Sequence, residues 1–174
     1  MSRQPDLFDA AEPAAVPGLT VLRGYALPHE QTLLRAIESV AAAAPFRHML
    51  TPAGQRMSAA MTNSGEVGWV SDRAGYRYDR CDPQTGLPWP PLPGCIAQLA
   101  QHAAAEAGFA PFRPEVCLIN RYAPGARMSL HQDRDEQDLT APIVSISHGV
   151  APIAEGSHPS IGPMRLNLTP RRAL

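Results

Sequence analysis

The 174-residue sequence contains no lysine, so all of its fixed positive charge is arginine. Lys+Arg 15 against Asp+Glu 16 leaves a formal net charge of -1. That balance excludes the broad basic footprint of a protein that coats nucleic acid, and any nucleic-acid contact has to be local. Cysteine is also scarce: Cys81, Cys95 and Cys117 are odd in number and lack C-x-x-C spacing. A disulfide framework and a zinc cluster are thereby excluded, and a cytoplasmic location is expected. No apolar run reaches the roughly 18 residues of a membrane span, and "MSRQPDLFDAAEPAAVPG" carries acids and prolines where a signal peptide needs an apolar stretch. No membrane partner is expected.

What is present points to one β-rich domain. Hydrophobic residues at 44% suffice for a core, while Gly 13 and Pro 19 interrupt the chain too often for a helical bundle. Residues 1–17 read as a loose arm, and "LTVLRGYAL" as a strand. "EQTLLRAIESVAAAA" spaces Leu33, Leu34, Ile37, Val40 and Ala41 as one helical face stopped by Pro45. Residues 48–80 are polar, glycine-rich and aromatic, with turns suited to hairpins that form a flap. A second helix is predicted over "CIAQLAQHAAAEAG", with Gly108 as its stop. Beyond it "EVCLINRYAP", "RMSLHQD", "APIVSIS" and "MRLNLTPR" alternate as strands between turn signals.

The candidate chemistry starts at "LHQDRDE". In an extended segment His131 and Asp133 share one face, and one imidazole with one carboxylate is two-thirds of the facial triad that holds non-haem Fe(II). A polar pair at a strand end gives the same spacing. On neighbouring strands the two-residue period places Asn120 with Tyr122, and Arg165 with Asn167 and Arg171. Two inward arginines need an anionic partner, which a small dicarboxylate supplies; on a solvated strand they need none.

"CLINRYAPGARMSLHQDRDE", "DLTAPIVSIS", "HGVAPI", "SHP" and "RLNLTPR" together resemble the AlkB family of Fe(II)/2-oxoglutarate-dependent dioxygenases. The similarity extends upstream through "PFRHMLTPAGQRMSAAMTNSGEVGW" and "DPQTGLPWP". The resemblance implies an α+β chain, residues 1–174 as a single domain. Its core is a double-stranded β-helix, or jelly roll, over 115–171, with N-terminal helices and a nucleotide-recognition flap over 48–80. It implies His131, Asp133 and His148 as iron ligands, and Asn120, Tyr122, Arg165, Asn167 and Arg171 around 2-oxoglutarate. It implies Met61, Trp69, Tyr76, Tyr78 and Asp135 at the substrate, and no catalytic residue beyond the metal site. The implied reaction is oxidative demethylation of bases such as 1-methyladenine or 3-methylcytosine in DNA and RNA. It consumes O2 and 2-oxoglutarate and releases succinate, CO2 and formaldehyde. Such bases are cationic, which a carboxylate at Asp135 favours. Trp69 opposite His131 would sandwich a flipped base, and Arg73, Arg77 and Arg80 would meet the phosphate backbone.

One departure stands out. Asp133 and His148 are 15 residues apart, far closer than in the family, as though "SIS" were joined directly to "HGV". Several core strands would then be missing and the metal site weak or incomplete. Unpaired edges and bared apolar faces at Ile143, Val144 and Ile146 would carry an aggregation risk for what is otherwise an expected monomer. Two other readings stay open: a 2-oxoglutarate dioxygenase acting on another substrate, and a non-catalytic remnant that binds nucleic acid.

Overall fold

The computed structural model describes residues 18–128, 136, 138, 140–148 and 161–174. Helix α1 spans Glu30–Ala43 and follows a 3-10 turn at Leu27–His29. Pro28 sits in that turn's opening positions, where a missing N–H costs nothing. Leu33, Ile37 and Val40 form the buried stripe of α1. The helix stops where expected because Ala44 precedes Pro45 and takes extended backbone at φ -131, ψ 91. Helix α2, Gly94–Glu106, follows Pro93 and buries Ile96, Leu99, Ala100 and Ala104. Gly108, at φ +85, turns the chain out of it. No described helix is long and apolar enough to cross a membrane.

The expected strand at "LTVLRGYAL" does not form. Residues 19–26 make turn hydrogen bonds instead, from the Tyr25 N–H to Leu22 O at 3.4 Å and from the Leu27 N–H to Gly24 O at 3.0 Å. None of the described strands runs beside this segment to satisfy an extended backbone. Leu19 and Val21 stay exposed.

Six strands are described: β1 Ala60–Gly65, β2 Gly68–Asp72, β3 Gly75–Asp79, β4 Val116–Tyr122, β5 Ile146–His148 and β6 Arg165–Arg171. β1, β4, β6 and β5 form an antiparallel sheet in that order, and β2 with β3 forms a separate hairpin. The span 48–80 therefore divides: β1 belongs to the main sheet, and β2 and β3 alone make the hairpin over it. The strand expected over "APIVSIS" narrows to β5, because Pro142 has no donor for a ladder. Val144 keeps one bond, from its N–H to Pro170 O at 3.2 Å.

The main sheet has two faces. Cys117, Ile119, Ile146, Leu166 and Leu168 pack on Leu33, Ile37 and Val40 of α1 and Ile96 and Leu99 of α2. Each such aliphatic side chain contributes about 1.5–3 kcal/mol relative to exposure. Ile146 is thus covered by the helices, contrary to the expectation that it would be bared, Val144 is half-buried, and Ile143 is 40% exposed. On this side a largely apolar cleft of about 1170 Å³ lies among residues 18–27, the end of α2 and residues 140–147. The opposite face carries the polar residues described below.

β1 leaves the sheet at Gly65, whose φ of +126 suits glycine. A Cβ there would meet Glu115 O and lie 2.8 Å from the Val116 Cα. Gly65→Ala should cost about 2 kcal/mol or more, seen as a lower midpoint in denaturant unfolding. Gly75→Ala, where φ is +117 but nothing lies within 4 Å of the new Cβ, should cost less.

Candidate active site

Strand alternation builds the site. Pairing of β4 with β6 sets Asn120 opposite Asn167, Tyr122 opposite Arg165 and Val116 opposite Arg171. Partners in an antiparallel ladder share a face, so all five expected co-substrate residues line the side away from the helices. β1 adds Met61 opposite Asn120. β5 adds Ser147 opposite Asn167, whose Nδ2 donates to Ser145 Oγ at 2.8 Å and Ser147 Oγ at 3.1 Å.

Within this row the Arg165 guanidinium lies 4.0 Å from the centroid of the Tyr122 ring. Burial pushes the Tyr122 hydroxyl above its ordinary pKa although Arg165 pulls it down, so it is a neutral donor at pH 7. Among the described residues, the buried Arg165 Nε and Asn120 Oδ1 on this face have no hydrogen-bond partner. A buried arginine donor without an acceptor is costly, and a carboxylate on this face would relieve it. The donor set therefore fits an anionic co-substrate.

Arg171, at the far end of β6, is already engaged. Its Nη1 donates to Glu136 Oε1 at 2.7 Å and to Tyr78 Oη at 3.2 Å, and the Tyr78 O–H donates to the same Glu136 oxygen at 2.7 Å. The side chains of Arg171 and Glu136 are only 7% and 4% exposed. Burial opposes ionisation of Glu136, but the hydrogen bonds from Tyr78 and Arg171 outweigh it and hold its pKa below the ordinary value. Burial chiefly pushes the Tyr78 hydroxyl well above the usual tyrosine range, leaving it protonated. Glu136, inside "LHQDRDE", is the residue that sequence reasoning missed. The two acids before it in the motif drew the chemical argument, and nothing local marked it as the partner of an arginine 35 positions on.

The hairpin carries the aromatic candidates. Trp69 pairs across it with Tyr78 and stacks on Tyr76, with ring centroids 5.7 Å apart and planes 15° from parallel. Asn63, fully buried in β1, clamps Trp69 by its backbone: Nδ2 donates to Trp69 O at 2.9 Å, and the Trp69 N–H donates to Oδ1 at 3.0 Å. Trp69 packs on a cluster containing Met61, Leu118 and Tyr122, so it stands over the polar row at its Tyr122 end. Met61 is 2% exposed and supports that contact from beneath. Arg77 is bound to both oxygens of Asp72 at 3.0 Å and lies 3.5 Å from Asp79, which commits it within the hairpin and leaves exposed Arg73 and Arg80 as the candidates for phosphate.

His131, Asp133 and Asp135 lie outside the described residues. The backbone of position 148 is paired with Leu166, one register step from Asn167.

Residues 18–147 match the 2OG-Fe(II) oxygenase superfamily. The chain is 52% identical over 151 residues to the alpha-ketoglutarate-dependent dioxygenase AlkB of Escherichia coli, covering 85% of this chain and 70% of that one. It is 45% identical over 201 residues to the enzyme of the same name in Salmonella typhimurium, covering 93% of each. That share of this chain falls about forty residues short of 201, so the relative carries an internal stretch without a counterpart here. The family match ends at Ser147, the residue before the "HGV" join. The solved structure of OsALKBH1 matches with a TM-score of 0.76 at 20% identity, covering 92% of this chain and 100% of that one, which establishes the shared fold.

Because the folded pKa of Glu136 is depressed, its ion pair stabilises the fold above the ordinary glutamate pKa and is lost as pH falls through the folded value. Glu136→Gln should therefore be less stable than wild type at pH 7, by about 3–5 kcal/mol for the loss of one member of a buried ion pair. The gap should narrow towards pH 3, and urea unfolding at the two pH values measures both.

Proposed function

From a chain that belongs to the AlkB family of the 2OG-Fe(II) oxygenase superfamily, we propose oxidative dealkylation of N-alkylated bases in DNA and RNA. Fe(II) and 2-oxoglutarate are the family's cofactor and co-substrate. The observation that carries the proposal is the row of Asn120, Tyr122, Arg165, Asn167 and Arg171 lying under an aromatic hairpin, with Arg165 Nε buried and unsatisfied in it.

Each end of that row takes one carboxylate of 2-oxoglutarate, Arg165 with Tyr122 at one end and Arg171 at the other. Asn120 and Asn167 lie between them. His131, Asp133 and His148 would hold Fe(II), which together with 2-oxoglutarate and O2 would supply the oxidising chemistry that removes an N-methyl group as formaldehyde. Trp69, steadied by Asn63 and Tyr76, receives the flipped base. Asp135 selects the cationic damaged base over its neutral parent. Arg73 and Arg80 take the backbone phosphates, a local patch on a nearly neutral chain. The three cysteines are free, in keeping with a reducing cytoplasm, where the chain acts as a monomer.

The register of β5 favours a second reading for this shortened chain. The backbone of position 148 pairs with Leu166, only 15 residues beyond Asp133, while Ser145 and Ser147 occupy the positions beside Asn167. Iron left with two protein ligands is held weakly, and the chain then binds nucleic acid without oxidising it.

Release of succinate and formaldehyde from a 3-methylcytosine oligonucleotide separates the two. Dealkylation requires equal amounts of both, abolished by His131→Ala. Arg165→Ala should raise the 2-oxoglutarate concentration needed by about tenfold or more. Oligonucleotide binding without either product would establish the non-catalytic reading, and succinate formation driven only by another compound would establish a different substrate.

A further inference from the structure

Tyr78 sits on the hairpin, and its likeness to the flap residues of the family assigns it to the nucleotide. Its surroundings differ from those of its neighbours. Tyr76 is 49% exposed and stacks on Trp69. The Tyr78 ring instead packs on Val67, Val116 and Ala173, at the end of β4 that pairs with Arg171. Its hydroxyl is occupied at both its donor and acceptor sides, giving to Glu136 Oε1 at 2.7 Å and taking from Arg171 Nη1 at 3.2 Å. With the direct bond from Arg171 to Glu136 at 2.7 Å, the three side chains close a triangle of hydrogen bonds. The Tyr78 hydroxyl is thereby committed within the triangle.

We propose that Tyr78 and Glu136 are positioning residues for the co-substrate: they fix the Arg171 guanidinium in the orientation that meets a carboxylate of 2-oxoglutarate. The inference rests on the reading that Arg171 binds 2-oxoglutarate. An arginine has several rotatable bonds, and ordering it at the moment of binding costs affinity. Here one nitrogen, Nη1, is held from two sides by groups on two other segments of the chain, so the ordering is complete before the ligand arrives. The consequence is that a residue of the flap governs affinity for the small dicarboxylate, with nucleotide recognition left to Trp69 and Tyr76.

The test is a split between two ligands in the full chain. 2-oxoglutarate is titrated calorimetrically with Mn(II) in excess as a redox-silent substitute for Fe(II). Binding of a 3-methylcytosine oligonucleotide is measured separately without 2-oxoglutarate. Tyr78→Phe should weaken 2-oxoglutarate three- to tenfold and leave oligonucleotide binding within twofold, whereas Trp69→Ala should do the reverse. A role of Tyr78 in general stability would move both ligands together. Unchanged 2-oxoglutarate affinity in Tyr78→Phe overturns the proposal, with or without weaker oligonucleotide binding. Wild-type chain that binds the oligonucleotide but no 2-oxoglutarate overturns the underlying co-substrate reading, and the proposal with it.

Discussion

The antiparallel register of β4 on β6 is the constraint on which the rest of the molecule depends. It sets Tyr122 against Arg165, Asn120 against Asn167 and Val116 against Arg171. It also sends Cys117, Ile119, Leu166 and Leu168 to the helices. Because side chains alternate with a period of two, a slip of one residue would bury the arginines in the helix-packed core and expose the aliphatic row. The core and the polar row are two faces of one pairing, and neither can be changed without the other.

The hairpin is joined to this sheet by two polar devices rather than by apolar area alone. Asn63 binds both backbone groups of Trp69 from β1. At the other end Tyr78 enters the buried pair of Arg171 with Glu136. A buried ion pair is weak support for stability, since desolvation offsets most of its attraction. What it provides is geometry: a buried charge held by groups on two other segments makes one arrangement of the three far better than its neighbours. The apolar contact of Trp69 with Met61 and Tyr122 supplies the attraction, and the polar bonds decide where it settles.

Much of this was legible from local pattern. Both helices follow from apolar spacing and a proline or glycine stop, and the two-residue period in "CLINRY" and "RLNLTPR" correctly grouped Asn120 with Tyr122 and Arg165 with Asn167 and Arg171. What failed was whatever depended on a distant partner. "LTVLRGYAL" has the composition of a strand, but β propensity is fulfilled only beside another strand, and none of the described ones lies there. Arg77 looked available for phosphate because the hairpin register that brings Asp72 and Asp79 to it is a property of the fold. Glu136 was invisible as the partner of Arg171 for the same reason. Periodicity reports which side a residue faces, and only topology reports what waits there.

The short separation between Asp133 and His148 acquires a physical meaning from β5. This edge strand is three residues long and holds to β6 alone among the described strands. Its register places two serines at Asn167 and position 148 at Leu166. The row of Asn120, Tyr122, Arg165 and Asn167 and the aromatic hairpin draw on β1 to β4 and β6, and β5 adds only the hydrogen bonds of Ser145 and Ser147 to Asn167, so most of that row is built without the stretch absent from this chain. The polar row and the approach to position 148 are thereby built by separable parts of the fold: the register of β4 with β6 secures the first, and the path of the chain into β5 governs the second.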